Sequence, residues 1–296
     1  MAHVALVYQP AVEASRALAE ACERDLEHRG KSSEVMSSRD LAAETSLEGL
    51  ELVVTFGGDG TILRTARWLA GRRIPIVGVQ MGRLGFLAEL LPAELPLGLV
   101  PYVEGSFWLD ERAMLEAEMD EPPAGATSAE QGAASQGYAG GHEARDLCAL
   151  EHCLALNDIV IGRGASPRTV TVEVRIDGNQ LHQFRGDGLV VATATGSTAY
   201  SFAAGGPILA PGSTDLVITA ICPHMSSLKS VVVPGNLPLQ LRAWATDPPI
   251  LSIDGQVDHP LANEQIVRAR LSDCRTVFAR QGTPTEFYSR ILAKLD

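Results

Sequence analysis

The apolar residues of this chain follow one spacing over its first hundred residues and a different spacing after that. Short apolar runs at residues 4–8, 50–56 and 74–79 have the length of strands. Segments with a helical repeat of apolar residues separate these runs. Strands that alternate with helices of this length build a parallel sheet covered on both faces. Residues 1–105 are therefore predicted to form an α/β domain, completed by the C-terminal segment 276–296.

The rest of the sequence has the pattern of a β domain. Residues 170–176 alternate apolar and polar side chains and run into an Asp-Gly pair, which is typical of a hairpin turn. Residues 106–275 are therefore predicted to form a mostly antiparallel all-β domain. Within it, residues 120–146 contain no Val, Ile, Leu or Phe. Such a segment buries too little apolar surface to offset its ordering entropy, and we expect a mobile surface loop.

Charge and composition exclude several classes of function. The 36 acidic residues outnumber the 24 basic ones and give a formal net charge of -12. This disfavours binding to nucleic acid or to an anionic membrane, because either partner requires a basic surface. No basic signal-peptide region and no apolar run of membrane-spanning length occur, so we expect a cytoplasmic protein. The five cysteines lack CxxC spacing, and we expect buried reduced thiols.

The strongest chemical signal is the run Gly57-Gly58-Asp59-Gly60-Thr61, between a buried strand and a helix. Glycines allow the backbone to approach an anion, and the free amides and the helix dipole point at it. The simpler interpretation is a tight turn from strand to helix. The run is neither a Walker A loop nor a complete dinucleotide fingerprint. An acidic residue inside the turn favours a phosphate-binding function.

Asp59 places a negative charge beside the negative phosphates, so it needs a functional explanation. It could accept the proton of an attacking hydroxyl, or it could hold the magnesium ion that accompanies phosphates. Both roles predict a phosphotransferase. Because the transition state of phosphoryl transfer is loose, a carboxylate acts mainly by orienting the hydroxyl and accepting its proton late. We therefore favour Asp59 as the residue that orients the hydroxyl and accepts its proton.

Two segments of the predicted β domain also carry polar residues in an unusual pattern. Asn157 and Asp158 lie side by side at the start of an apolar strand, although such a pair is often only a turn. Residues 187–207 form an apolar strand that opens into threonines, serines and glycines. Small hydroxyl residues provide donors and acceptors with little bulk, which suits a nucleotide site.

Together these segments resemble the NAD kinase family, nearly from end to end. The matching motifs are GGDGT at 57–61, GRLGFL at 82–87, ERAMLEAEM at 111–119, NDIVI at 157–161, the long DGLVVATATGSTAYSFAAGGPI run that starts at Asp187, ICPH at 221–224 and IDGQ at 253–256. GGDGT alone is shared with phosphofructokinases and diacylglycerol kinases, whose N-terminal fold the resemblance also implies. The long run is specific to the family.

The resemblance implies roles for individual residues. Asp59 matches the general base that acts on the 2'-hydroxyl of the adenosine ribose of NAD, and Gly60 lies beside the dinucleotide. Asn157 and Asp158 match the pair that holds the ribose and adenine groups. Asp187 matches the acid at the nicotinamide end. The other positions that match NAD-binding segments are Arg64, Phe86, Arg168, Arg185, Thr198, Ala199, Tyr200, Ser201, Phe202, Ala203 and Gln256. Arg64 and Arg168 are equally compatible with solvated surface charges.

This sequence departs from the family pattern at a few positions. Gln80 stands where the family usually has Asn, and Ala194 stands where it usually has Pro. The longer Gln80 side chain is expected to shift a phosphate contact without removing it. The polar segment 120–146 is not a common family element. None of these differences affects Asp59.

The resemblance also implies the cofactors and partners. We expect Mg2+ or another divalent cation bound through the donor phosphates and no metal site made by the protein. ATP, inorganic polyphosphate or both would be the phosphoryl donor, NAD the acceptor, and the assembly a homodimer or homotetramer. Two alternatives stay open: a diacylglycerol or lipid kinase that shares the GGDGT turn, and a non-catalytic NAD-binding sensor.

Overall fold

The computed structural model describes residues 3–41, 46–82, 85–123, 153–164 and 168–295. The chain divides into two compact units. The N-terminal unit comprises residues 1–112 and 275–296, and the C-terminal unit comprises residues 113–274. Most of the loop predicted at residues 120–146 lies outside the described residues.

Strands make up more of the described chain than helices do. In chain order the strands are β1 (His3–Tyr8), β2 (Ser32–Ser37), β3 (Leu50–Gly57), β4 (Ile76–Gln80), β5 (Trp108–Met119), β6 (Cys153–Ala155), β7 (Asp158–Gly162), β8 (Val170–Ile176), β9 (Asn179–Gly186), β10 (Gly188–Ala192), β11 (Asp215–Ile221), β12 (Ser230–Pro234), β13 (Leu239–Trp244), β14 (Ile250–Ile253), β15 (Val257–Pro260) and β16 (Ile266–Arg280). The α-helices are α1 (Glu13–His28), α2 (Asp59–Trp68), α3 (Val100–Val103), α4 (Tyr200–Ala203) and α5 (Glu286–Leu295). Strands β5 and β16 each contribute residues to both units.

The N-terminal unit is built on a parallel sheet. Its strands lie in the order β2-β1-β3-β4, and β4 pairs in parallel with the end of β16 where Ile76 meets Phe278. The central strands β1 and β3 are buried almost throughout because helices cover both faces of such a sheet. Helix α1 buries Ala19, Cys22 and Leu26, which recur at helical spacing. The predicted α/β fold is confirmed.

Strand β2 was not predicted from the sequence. Its residues, SSEVMS, include few large apolar side chains, and most of them are exposed or half-buried. The strand lies at the edge of the sheet, where it pairs with β1 alone. An edge strand needs less apolar surface than a central one, so its composition gives little signal.

The C-terminal unit consists of antiparallel strands. One sheet has the order β12-β11-β10-β7-β14-β15, and a second set pairs as β16-β13-β8-β9. Side chains from both sets meet in one apolar core, which includes Ile159 and Val191 from the first and Val172 and Leu241 from the second. The predicted antiparallel β domain is confirmed, and so is the hairpin at residues 177–178, which both have positive φ.

The cysteines differ from the prediction. Cys22 is buried and free, as expected, whereas Cys222 is free but exposed. Cys222 has a φ of 45° directly after β11, and this turn places it at the surface. Cys153 is disulfide-bonded. Cys274 is free and half-buried, and Cys148 lies outside the described residues. The prediction of buried reduced thiols is therefore wrong for Cys153, Cys222 and Cys274. Among the described helices, none is both long and apolar enough to span a membrane.

Candidate active site

The GGDGT turn lies at the carboxyl edge of the parallel sheet. Gly57 ends β3, Gly58 has an extended backbone, and α2 begins at Asp59. A Cβ atom on Gly57 would lie 2.2 Å from Oγ1 of Thr61, so a side chain there would collide with the first turn of the helix. Gln9, which follows β1 at the same edge, donates from Nε2 to Oγ1 of Thr61 over 3.5 Å. The turn thus places the amino end of α2 where parallel sheets bind ligands.

The carboxylate of Asp59 is held by backbone amides of a neighbouring loop. Oδ2 accepts a hydrogen bond from the Phe86 amide at 3.0 Å, and Oδ1 accepts one from the Leu87 amide at 3.3 Å. The side chain is nevertheless half-exposed. Asp59 is therefore fixed in orientation and still reachable by a substrate. Phe86, predicted from the GRLGFL motif, is brought next to Asp59.

Gln80 and Gly85 complete the support of this loop. Gln80 is buried, and its Oε1 accepts the Gly85 amide at 2.8 Å. A Cβ on Gly85 would lie 2.0 Å from Oδ1 of Asp59. The side chain of Gln80 thus holds the loop that faces Asp59, a role that the sequence did not indicate. Only a residue without a side chain fits at position 85.

Arg64 projects from α2 in the same unit. Its Nη1 is buried and has no hydrogen-bond partner among the residues that the structure describes. A buried guanidinium nitrogen without an acceptor is costly, and an anionic group of a ligand would satisfy it. This favours ligand binding over a solvated surface charge for Arg64.

In the C-terminal unit, Asp254 organises the Asn157–Asp158 turn. Its Oδ1 accepts the amides of Asn157 at 2.8 Å and Asp158 at 3.2 Å. Its Oδ2 accepts the Leu156 amide at 3.1 Å, and the Asp254 amide donates to the Asp158 carbonyl at 2.9 Å. Asp254 has a φ of 50°, in the left-handed region. The sequence pointed to Gln256 in the IDGQ motif and missed Asp254, which forms these bonds.

Asp158 is a buried acid beside a second acid. Burial, and then the negative charge of Asp254, raise the pKa of Asp158 to about 7. The side chain is 5% exposed. Near neutral pH the Asp158 carboxyl can therefore carry or release a proton, so it can donate or accept a hydrogen bond to a ligand.

The hydroxyl-rich run after β10 packs on the same turn. A Cβ on Gly196 would lie 2.0 Å from the Asn157 carbonyl oxygen. Oγ1 of Thr193 donates to the Leu156 carbonyl at 2.6 Å and accepts the Gly196 amide at 3.1 Å. The buried hydroxyl of Thr193 therefore supports the turn at residues 156–158.

In the predicted segment 198–203, the hydroxyl side chains are buried and the aromatic side chains are exposed. Thr198 donates to the Thr195 carbonyl, and Ser201 is fully buried with its hydroxyl 2.9 Å from that of Thr219. Tyr200 and Phe202 are 47% and 38% exposed. Ala199 and Ala203 share a backbone hydrogen bond of 3.2 Å. The segment thus offers two aromatic side chains at the surface of the unit.

Asp187 and its neighbours lie at the other end of β10. Asp187 precedes this strand and contacts Arg163 at 3.3 Å, whereas Asp158 pairs with Ala192 at the far end. The structure therefore does not place Asp187 beside Asp158. Tyr200 interacts electrostatically with both Asp187 and Asp158. Burial raises the pKa of its phenol most, and the charges of Cys222, Asp187 and Asp158 raise it further.

The remaining predicted residues are at or near the surface. Arg185 is exposed and donates from Nε to Oγ1 of Thr169 at 3.1 Å. Arg168 is exposed, and Gln256 is half-buried directly after the Asp254 turn. In the part of the chain that the structure describes, no group of three or more His, Cys, Asp or Glu side chains could hold a metal ion.

Comparison with known proteins identifies two matching family models. Residues 4–107 match the ATP-NAD kinase N-terminal domain, and residues 156–281 match the ATP-NAD kinase C-terminal domain. A protein named NAD kinase from Dehalococcoides mccartyi is 34% identical over 85% of this chain and 80% of its own length. Another, from Chloroflexus aurantiacus, is 33% identical over 99% of this chain and 98% of its own.

Solved structures agree with these matches. An NAD kinase from Archaeoglobus fulgidus in complex with ATP aligns with a TM-score of 0.75 and 25% identity, over 99% of this chain and 98% of that one. Yeast NADH kinase complexed with NADH shares the fold, with a TM-score of 0.77 and 20% identity over 95% of this chain and 84% of that one. The two family models together cover most of the sequence, and the chain belongs to the NAD kinase family.

Proposed function

We propose that this chain transfers a phosphoryl group from ATP or inorganic polyphosphate to the 2'-hydroxyl of the adenosine ribose of NAD, giving NADP. The observation that carries this proposal is the fixed, half-exposed carboxylate of Asp59 in the first turn of α2. A glycine-rich turn and a helix amino end beside that carboxylate suit a phosphoryl donor and an attacking hydroxyl. Family membership and the ATP complex of the Archaeoglobus fulgidus relative support it.

Asp59 is proposed as the catalytic residue. Each carboxylate oxygen accepts one amide hydrogen bond and keeps a further lone pair for the substrate. The carboxylate would orient the ribose hydroxyl and accept its proton as the bond to phosphorus forms. Because the amides of Phe86 and Leu87 are already in place, little reorganisation is needed when the proton transfers.

The donor phosphates are proposed to bind at the turn that begins α2. Gly57, Gly58 and Gly60 add no side-chain bulk at this turn, Thr61 adds a hydroxyl, and the helix dipole favours negative charge there. Arg64, whose buried Nη1 has no partner within the described part of the chain, is proposed to contact a phosphate of NAD or of the donor. A divalent cation would arrive on the donor phosphates and neutralise their charge, which agrees with the preference of magnesium for substrate phosphates over all-protein sites.

The C-terminal unit is proposed to hold the dinucleotide. Asn157 and Asp158 would bind the ribose and adenine groups, and Tyr200 and Phe202 would supply aromatic surface. The other residues of this unit proposed to contact NAD are Arg168, Arg185, Asp187, Thr198, Ala199, Ser201, Ala203 and Gln256. Phe86, in the N-terminal unit, is also proposed to contact NAD. For Thr198 and Ser201, whose hydroxyls bond within the unit, the contribution is the placement of their backbone.

A homodimer or homotetramer in the cytoplasm is proposed on the resemblance to the family. Light scattering coupled to size-exclusion chromatography measures the mass of the assembly directly. A monomer at enzyme-assay concentrations would refute this part of the proposal and leave the proposed reaction unaffected.

The reaction is tested by incubating the purified chain with NAD, magnesium and either ATP or polyphosphate. NADP is then detected with a dehydrogenase specific for NADP. Product with either donor supports the proposal and identifies the donor. If no product forms while calorimetry detects NAD binding, the chain is a non-catalytic NAD sensor. If NAD does not bind, the kinase proposal fails and lipid acceptors become the alternative.

A further inference from the structure

A buried cluster of charged residues lies behind the loop that holds Asp59. The ion pair between Arg280, at the end of β16, and Glu89 measures 2.9 Å, and their side chains are only 6% and 5% exposed. Nε of Arg280 also lies 3.5 Å from Oδ2 of Asp110. Arg112 binds the same carboxylate of Asp110 through two hydrogen bonds of 2.8 and 2.7 Å. The cluster is charge-balanced and belongs entirely to the N-terminal unit.

Arg280 is connected to Asp59 through a single residue of the backbone. Nη1 of Arg280 donates to the carbonyl oxygen of Leu87 at 2.9 Å. The amide of the same Leu87 donates to Oδ1 of Asp59, and the preceding amide, of Phe86, donates to Oδ2. The guanidinium therefore anchors one side of the peptide segment whose other side binds the carboxylate.

Glu89, two residues after Leu87, also binds the end of β16. Its Oε2 faces Arg280, while its Oε1 accepts the Gln281 amide at 3.0 Å and lies 3.4 Å from the Tyr102 hydroxyl. The segment 87–89 is thus bound at two points to the end of β16. The guanidinium also lies over the Phe278 ring, 4.8 Å from its centre, which restricts its own movement.

The burial of these charges argues for a positional role. Two charges removed from water regain in mutual attraction roughly what they lose in hydration, so apolar residues of similar volume would stabilise the fold equally well. Apolar side chains could not, however, bind the Leu87 carbonyl. The directed hydrogen bond is what the charged cluster adds.

We propose that Arg280 is a positioning residue for phosphoryl transfer: it holds the segment of Phe86 and Leu87 in place so that their amides orient the Asp59 carboxylate. The proposal rests on the proposed function, in which Asp59 receives the proton of the ribose hydroxyl. Arg280 does not itself touch the reacting atoms. Its loss should therefore reduce the rate of the chemical step much more than it weakens NAD binding.

The test compares Arg280→Lys with Arg112→Lys in the full-length chain. The two arginines are similarly buried and share Asp110, but the hydrogen bond to Leu87 is made by Arg280. Lysine at 280 keeps the charge and loses the forked geometry. We expect Arg280→Lys to lower kcat roughly 10- to 100-fold with the KM for NAD little changed, because small displacements of a catalytic group cost this much. Arg112→Lys should lower the melting temperature comparably and kcat much less.

A second comparison makes the result independent of stability. Glu89→Gln keeps the shape of its side chain and removes the charge that holds Arg280, so kcat should again fall more than KM rises. Adding Arg280→Lys to Asp59→Asn should cause no further loss if Arg280 acts through Asp59. An equal loss of kcat in Arg112→Lys, or a full additional loss in the double variant, would overturn the proposal. An inactive wild-type chain would instead refute the proposed function.

Discussion

The two units contain carboxylates that backbone amides hold in similar ways but that differ in exposure. Asp59 accepts two amides and stays half-exposed at the start of a helix. Asp254 accepts three amides, is 8% exposed, and faces a second buried acid, Asp158. An exposed, oriented carboxylate suits proton transfer to or from a substrate, whereas a buried one shapes the backbone around it. The comparison separates the chemistry, proposed for Asp59 of the N-terminal unit, from the dinucleotide binding proposed for the Asn157–Asp158 turn that Asp254 holds in the C-terminal unit.

The largest effect on either carboxylate is expected from Asp59→Asn. The substitution keeps the size of the side chain and removes the proton acceptor, so kcat should fall about 10²- to 10⁴-fold. The measurement is the initial rate of NADP formation at saturating NAD and donor. Near-normal turnover would show that Asp59 is not the base.

Gly85→Ala tests the same carboxylate without changing its chemistry. The added methyl would occupy the position of Oδ1 of Asp59, so the carboxylate or the loop has to move. We expect kcat to fall by about 100-fold, the typical cost of displacing a catalytic group by an ångström. Gly82→Ala is the matched control, because a Cβ at Gly82 meets no atom of the described residues within 4 Å. Equal rates for the two variants would contradict the placement of Asp59.

Asp254→Asn tests the C-terminal carboxylate. An amide group cannot accept all three backbone hydrogen bonds, so the turn that carries Asn157 and Asp158 should shift. We expect the Kd for NAD, measured by calorimetry, to rise roughly 10- to 100-fold, the cost of a lost hydrogen bond to a charged group. Asp258→Asn, an exposed acid of the same hairpin, is the control. An unchanged Kd would show that Asp254 does not shape the NAD site.

The smallest effect concerns stability and pH. The pKa of Asp158 is about 7 in the folded chain against an ordinary value of 3.8, so folding takes up a proton between these values. The contribution of Asp158 to the free energy of unfolding therefore declines as pH rises from about 4 to 7, and the loss is complete above 7. The Asp158→Asn variant has no carboxyl at this position and does not lose this stability as pH rises. At pH 8 its free energy of unfolding should exceed that of the wild type by on the order of 1 to 3 kcal/mol.

Urea denaturation at pH 5 and pH 8 measures this difference. The gain from Asp158→Asn should be larger at pH 8 than at pH 5. Burial and the carboxylate of Asp254 raise the pKa of Asp158. A gain that is the same at both pH values would show that Asp158 does not titrate in this range.

Much of the fold was predictable because its signals are local. The alternation of β8 and the buried runs of β1 and β3 depend on residues that are neighbours in sequence. Edge strand β2 was missed because few of its side chains are buried. The spacing of apolar residues predicts a strand only where many of its side chains are buried.

The candidate site was predictable where a residue type is unusual in its place. Asp59 inside a glycine turn and Asn157–Asp158 before an apolar strand are visible in the sequence. Asp254 acts on residues almost a hundred positions away, and Arg280 acts on Leu87 across 193 positions. Such contacts depend on the fold, and neither residue type nor local spacing reports them.

The most direct test of the division between chemistry and binding is the Kd for NAD of the Asp59→Asn variant, measured by calorimetry. We predict a Kd within about tenfold of wild type, since at most one hydrogen bond to the ribose is weakened, together with the loss of turnover. A Kd that rises in parallel with the loss of turnover would contradict this division, because Asp59 would then act mainly in binding.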